Sequence, residues 1–391
     1  MSKFISKKVL ISESYGWEKI EKDDLILWFK GYLFKSNVQN IHLQAVHFLK
    51  ENTFNMSVLS EWVNGLNGHF AFILISSSSI FATVDKVNTT PLFYSSNSYD
   101  FFLANKASLI INQSSDTKKI VDTQASLEIA MSGYTIGRKT LYHEFFQLTS
   151  GECLYFEKGS LNRVFYHTYS PWKVKDRSEE ELKKDFNASL NLTMEELVDS
   201  INGRQVVIPL SAGNDSRLIA SGLKHFGVEN VLCFSYGRSG NFESKMASLI
   251  SQKLGYEFKH IDISDSNKKK FFKSKKYKDY VDDYDSYSSI PAVQDIAEIC
   301  YINQKNLIAE DAIIINGNTG DYISGGHLLQ SKSLNANKDD ILRQFSLKHY
   351  SLWGKLNTHN NHSLIKEQLV KMSESRKIVS FFNNADSPFF F

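Results

Sequence analysis

Cysteine is scarce in this chain: three in 391 residues, Cys153, Cys233 and Cys300, far apart and without a Cys-x-x-Cys pair. Such spacing argues against a zinc module and a disulfide framework, and it fits a reducing compartment. An excess of charge is missing too, since 45 lysines and arginines face 43 aspartates and glutamates for a net charge of +2. There is no global pull toward nucleic acid or a membrane, so a charged partner must be met locally. No apolar run is long enough to span a bilayer, and the start MSKFISKKVLISES has lysines but no apolar stretch of signal-peptide length. The expectation is a soluble cytoplasmic protein. A repeat of solenoid period and the motif G-x-x-x-x-G-K-[ST] are also absent, which argues against a solenoid and a P-loop ATPase.

What is present is enough apolar sequence, 42% of the residues, to bury a large core divided between two domains. As far as Tyr169, short β-rich runs such as LILWFKGYLF, GHFAFILISS, IFATVDK and GECLYFEKG alternate with turn signals, predicting a sheet-rich domain. Ser178 and Glu181 then form a capping-box signature, and Leu182, Phe186 and Leu190 recur at helical spacing. The boundary is expected near Pro171, giving domains over 1–172 and 173–391. From Val206 the runs VVIPL, VLCFSY, FKHIDI and AIIING alternate with helical patterns, as in a parallel sheet covered by helices. In those helices Ile219, Leu223 and Phe226, then Met246, Leu249, Ile250 and Leu254, read as core stripes, with Gly255 as a stop. The run KKKFFKSKKYK, Lys268 to Lys278, reads as a solvated face, with RNA or a phosphate-bearing substrate as the alternative.

One turn carries chemistry. Ser211, Ala212, Gly213, Asn214, Asp215 and Ser216 follow an apolar strand and open a helix, so backbone N–H groups and two hydroxyls converge on one spot. The helix N-terminus adds partial positive charge and Gly213 allows close approach, which suits phosphate oxygens. Asp215 is misplaced in such a nest unless a divalent metal bridges it to the phosphates. The plain alternative is an N-capped α/β turn in which Asp215 or Ser216 satisfies helix N–H groups.

Ser211 to Ser216 resembles the S-G-G-x-D-S pyrophosphate loop of the ATP pyrophosphatase superfamily, with Ala212 in place of the first glycine. Asn316-Gly-Asn-Thr-Gly-Asp-Tyr-Ile-Ser-Gly-Gly326 resembles the G-E-G-A-D-E-x-x-x-G-G motif of asparagine synthetases, and Val231 to Glu243 resembles the strand and loop that line the adenine pocket, with Tyr236, Gly237 and Glu243 in place. Gly68-His-Phe-Ala-Phe, Asp85-Lys, Pro91-Leu-Phe-Tyr, Gly133 to Leu141 and Leu148 to Gly151 resemble the glutaminase-like domain of the same enzymes. The resemblance implies an α+β N-terminal Ntn-hydrolase-like sheet domain and an α/β C-terminal domain of the adenine nucleotide α-hydrolase type with a parallel sheet. It also implies ATP and Mg2+ as cofactors. Asp215 and Asp321 would hold the metal, and Ser216 would act with them. Leu210, Ser211, Ala212, Gly213, Asn214, Ser216, Ser235, Tyr236 and Gly317 would contact ATP or pyrophosphate.

Several positions depart from the family pattern. Ser2 stands where active relatives expose a cysteine nucleophile, and a hydroxyl is a poorer nucleophile than a thiol near neutral pH, so no glutaminase activity is expected. Asn318 replaces a glutamate and Tyr322 the second acidic residue; an amide is no general base, which puts aspartate as substrate in doubt. About seventy residues follow the second motif, ending in NNADSPFFF, so the C-terminal region reads as shortened. Asp282 to Asp295, DDYDSYSSIPAVQD, lies where relatives meet ATP and the acceptor, and reads equally as a loop with a helix start after Pro291. The function implied is an ATP-dependent, AMP-forming ligase that joins a small-molecule carboxylate, a uronic acid or amino-acid derivative, to an amine or ammonia. A homodimer or a nitrogen-donor protein is the expected macromolecular partner, with no nucleic acid and no membrane. The rival reading is a catalytically silent relative that binds nucleotide or a partner.

Overall fold

The computed structural model describes residues 6–14, 16–97, 100–113, 120–169, 177–318, 320 and 338–376. Two compact units emerge: residues 1–173, 285–290 and 329–390 form the first, and 174–284 and 291–328 the second. This partition differs from the boundary expected on sequence. It assigns the last two described helices, and a six-residue stretch after Tyr284, to the first unit.

The first unit has four layers. β2 (Glu18–Lys22), β3 (Leu25–Leu33), β4 (Gly68–Ile75), β5 (Ser79–Val84), β9 (Glu152–Glu157) and β10 (Ser160–Phe165) make an antiparallel sheet of order β10-β9-β5-β4-β3-β2. β1 (Ser6–Leu10), β6 (Phe93–Ser96), β7 (Asp100–Ala104) and β8 (Phe146–Gln147) make a second, of order β1-β7-β6-β8, in which β1 runs parallel to β7. Alternation along β4 explains the layering, because successive side chains point to opposite faces. Phe70, Phe72 and Leu74 pack with Ile41, Ala45, Leu59 and Val63 of α1 (Val38–Lys50) and α2 (Met56–Asn64). Ala71 and Ile73 point the other way and meet Tyr94, Phe101 and Leu103 of the second sheet. That sheet's outer face, through Phe93, Phe102 and Ala104, packs on Ile110 and Ile111 of α3 (Ala107–Gln113). The order helix, sheet, sheet, helix is that of an Ntn-hydrolase-like sandwich.

Residues 285–290 complete this unit by donating and accepting at loop ends. Ile290 N donates to Gly133 O at 2.8 Å, just beyond α4 (Thr123–Ser132), and Leu141 N donates to Tyr287 O at 2.6 Å. The later helices α11 (Lys338–His349) and α12 (His359–Ser375) bury Leu342, Tyr350, Ile365 and Leu369 against Met131 and Ile136.

The second unit begins with α5 (Glu179–Ile201), whose capping box between Ser178 and Glu181 is formed as its sequence predicts. Its apolar stripe is not buried as read: Leu182 and Phe186 are exposed and only Met194 and Ile201 are buried, since only the C-terminal turns meet the core. The sheet contains β11 (Val206–Pro209), β12 (Val231–Tyr236), β13 (Glu257–Ile261) and β14 (Ile313–Ile314), all parallel, in the order β13-β12-β11-β14. α6 (Asn214–His225) and α7 (Phe242–Leu254) cross between the first strands. α7 turns Ser244, Ala247 and Ser251 inward; of the stripe read from its sequence, Ile250 and Leu254 pack against the core while Leu249 is exposed. Small side chains bring the helix axis close to the sheet, so they win the buried face over bulkier neighbours. α8 (Asp265–Phe272) and α9 (Lys275–Tyr284) carry the lysine run and bury no residue fully. α10 (Ile296–Gln304) precedes β14.

No described helix is long and apolar enough to cross a membrane. Burial raises the Cys153 thiol to about 12 and the Cys233 thiol to about 11, so both behave as core residues rather than as nucleophiles.

Candidate nucleotide site

A parallel sheet binds ligands where its strand order reverses, outside the carboxyl ends of the strands. Here the reversal falls between β11 and β14. The Ser211–Ser216 loop leaves the end of β11, and Asn316 to Gly320 follow the end of β14. A cavity of about 430 Å3 opens at this point. Of the residues expected to meet ATP, Leu210, Ser211, Gly213, Asp215, Ser216, Ser235, Tyr236 and Gly317 line it, whereas Ala212 and Asn214 do not. Asp321, Tyr322 and His327 lie outside the described residues, as do Ser2, Pro171 and the terminal NNADSPFFF.

The loop is tied by its own hydroxyls. Ser216 Oγ, buried, accepts from Ser211 N at 3.1 Å and lies 3.1 Å from Ser211 Oγ, which accepts from Gly213 N at 3.1 Å. Arg217 Nη2 donates to Ala212 O at 2.8 Å and ties the loop from outside. Gly213 is the N-cap of α6 and supplies no side-chain hydrogen bond, so no capping side chain competes for the helix N–H groups. The plain reading, in which Asp215 or Ser216 caps the helix, is therefore not what the structure adopts.

Glycine brings the second loop against the first. A Cβ on Gly317 would stand 2.7 Å from Ser216 N and 2.9 Å from Asp215 Cβ, closer than real side chains approach. One on Gly320 would overlap the Asp215 carboxylate itself. Neither glycine has a left-handed backbone angle, so lack of room and not conformation is what calls for glycine here. Gly320 is the residue before Asp321 in sequence, and it lies on Asp215, the carboxylate that the family resemblance pairs with Asp321.

Two residues, Glu243 and Lys268, were read incompletely, and a third, Asp295, brings the end of the Asp282–Asp295 segment to this cavity. Glu243, expected to introduce α7, also reaches the Ser211–Ser216 loop, where its Oε2 accepts from Ala212 N at 2.5 Å. Asp295 lines the cavity in a left-handed conformation (φ 60°) without capping α10, and it hydrogen-bonds Tyr236. Burial first, then Asp295, pushes the Tyr236 phenol well above its ordinary range, so it is a neutral donor. Lys268 leaves the solvated face: its Nζ lies 5.0 Å above the Tyr236 ring and 2.5 Å from the buried carboxylate of Glu298. A charge run in sequence announced neither the exception nor its partner. Among the described residues no three His, Cys, Asp or Glu side chains gather as a metal cluster. Of the described carboxylates, three line the cavity: Glu243 meets Ala212 N, Asp295 meets Tyr236, and Asp215 stands in the first turn of α6, where it could share a phosphate-bound cation.

No family model matches the chain, and no curated protein does. Among solved structures, an NH3-dependent NAD synthetase from Campylobacter jejuni is similar at 15% identity over 49% of this chain and 94% of that one, with a TM-score of 0.24. A glutamine phosphoribosylpyrophosphate amidotransferase from B. subtilis is similar at 10% identity over 77% of this chain and 63% of that one, with a TM-score of 0.25. A predicted subunit of tRNA methyltransferase from Methanocaldococcus jannaschii is similar at 16% identity over 42% of this chain and 74% of that one, with a TM-score of 0.19. Likenesses at this level leave the geometry of the site as the ground for a functional reading.

Proposed function

We propose that the second unit binds ATP as an AMP-forming ligase, activating a small-molecule carboxylate for attack by an amine or ammonia. The observation that carries this reading is the close approach of Gly317 and Gly320 to Asp215, because it sets two loops from different strand ends around one carboxylate at the strand-order reversal. Ser211, Gly213 and Ser216, with the N-terminus of α6, grip the pyrophosphate portion. Ser235 and Tyr236 line the nucleoside end. Asp215, with Asp321 beside Gly320, would hold Mg2+, which when bound offsets the phosphate charge as the leaving group departs. Ala212 N donates to Glu243 Oε2, so a phosphate oxygen must displace a carboxylate to reach it. Catalysis of this kind rests on positioning and charge rather than on a covalent protein intermediate. A uronic acid or amino-acid derivative is the proposed acceptor.

ATP to pyrophosphate exchange, run over a panel of uronic and amino acids with magnesium, tests the reading. Wild type should exchange with at least one acid. Asp215→Asn should lose that exchange by at least about a hundredfold, the range in which loss of one charge-stabilising group falls, with an unchanged thermal midpoint. Exchange that survives in Asp215→Asn, or none with any acid, would defeat it.

A further inference from the structure

The first unit holds a second cavity, of about 540 Å3, that the nucleotide reading does not use. It sits between β8 and β10, the edge strands of the two sheets, under the last turns of α12. Five cations line it, Arg138, Lys139, Arg163, Lys371 and Arg376, and no carboxylate lines it among the described residues.

Three of those cations are already matched. The buried Glu152 receives Arg138 Nε at 2.5 Å and spends its other oxygen on Thr149 N and Oγ1, both at 3.0 Å. Lys139 pairs with the buried Glu128, and Lys371 with Glu367 at 2.6 Å. Arg163 donates to the Tyr94 hydroxyl, a neutral group, and lies over its ring. Arg376 has no carboxylate within ion-pair distance among the described residues; it stacks on Phe165 at 4.8 Å, and Arg138 lies at the same distance from that ring. Two guanidinium groups thus share one phenyl, and five cations answer to three carboxylates. Burial weakens the hold of Arg376 on its proton, and Arg138 adds to this against the opposing pull of the Glu152 carboxylate, which is already paired with Arg138. Nε of Arg138 is spent on Glu152, its two terminal nitrogens have no hydrogen-bond partner among the described residues, and guanidinium forks suit phosphate and carboxylate groups. Phe146, Phe165 and Met372 give the same cavity an apolar wall.

We propose that this cavity is a binding site for a small organic polyanion, whose phosphate or carboxylate groups are held by Arg138, Arg163 and Arg376 and whose carbon skeleton lies on Phe165. The volume falls in the range of small-molecule sites, about 300–1,000 Å3. The site is separate from the nucleotide reading and stands if that reading fails.

Titration calorimetry with inorganic pyrophosphate and, separately, citrate, at about 0.1 M salt where distant charges are screened, tests it without magnesium. Wild type should bind one or both. Arg163→Ala/Arg376→Ala should weaken that binding at least about tenfold, and Arg163→Lys/Arg376→Lys should fall between, since charge returns without the fork. Thermal midpoints near wild type exclude misfolding. Weakening for pyrophosphate alone assigns a phosphate ligand, and for both a general polyanion. Pyrophosphate held by the Ser211–Ser216 loop is recognised because it survives in the double alanine variant. Superimposable isotherms of wild type and double alanine, or no binding of either anion to wild type, would overturn the proposal.

Discussion

Gly320 shows how much one missing methyl group decides. Its Cβ position is filled by the Asp215 carboxylate, so any side chain must push back either the loop after β14 or the aspartate. Gly320→Ala should therefore reduce nucleotide-dependent exchange at least about tenfold, the scale on which small misplacements of reacting groups act, with little loss of stability because the loop is at the surface. Exchange equal to wild type would show that the two loops need not touch. The Ser211–Ser216 loop was legible in sequence because its parts are contiguous and each has a local reason to be there. The segment ending in Asp295 was placed near ATP by resemblance, but neither its pairing with Tyr236, 59 residues away, nor that of Glu243 with Ala212, 31 residues away, was legible in sequence. A carboxylate in the first turn of a helix has an ordinary explanation, favourable charge against the helix dipole, and that explanation hides the second role.

At the scale of elements, propensity and capping read well and facing read poorly. The capping box of α5 formed as expected because both of its residues are local. The stripe of α5 did not bury as read and that of α7 did so only through Ile250 and Leu254, since which face a helix buries is chosen by what it packs against. α3 illustrates a start signal that no local pattern contains. Ser108 N and Oγ in its first turn donate to Asp285 Oδ2 at 3.1 and 2.5 Å, across 177 residues of sequence. Burial raises the Asp285 carboxyl above the ordinary aspartate range, outweighing the Ser108 hydrogen bonds and Lys106 that pull it down. A raised acid binds its proton more tightly folded than unfolded, so its contribution is full below the ordinary aspartate value, about 3.9, and is lost as pH rises through the folded one. Asp285→Asn keeps an acceptor and removes the charge. Its stability by urea unfolding should gain on wild type between about pH 4.5 and 7.5; a constant difference across that range would show that the carboxyl is not raised.

For the whole molecule, the alternation of strand and helix patterns made two units legible, but not where the last helices belong. A boundary near Pro171 assigns everything after it to the second unit, yet contacts place residues 329–390 in the first. Sequence order is a poor guide here because an amphipathic helix carries its apolar face but not the address of the surface that covers it. The address is in the packing: Ile365, fully buried, and Leu369 meet Met131 and Ile136. Ile365→Ala should cost about 2–5 kcal/mol, the usual range for such a truncation. The chain offers a way to see which unit bears that cost. All five tryptophans are in residues assigned to the first unit, with Trp17 buried and Trp28 and Trp62 packed against its core clusters. The denaturant midpoint followed by tryptophan emission should therefore fall in Ile365→Ala. A core truncation in the other unit, Leu223→Ala, should leave that midpoint closer to wild type while lowering the one followed by protection with the proposed nucleotide, because Leu223 packs in the same cluster as Leu210, at the start of the Ser211–Ser216 loop. If Ile365→Ala left the tryptophan midpoint unmoved, the C-terminal helices would not be part of the first core, and the polyanion cavity that α12 helps to line would lose its wall as well.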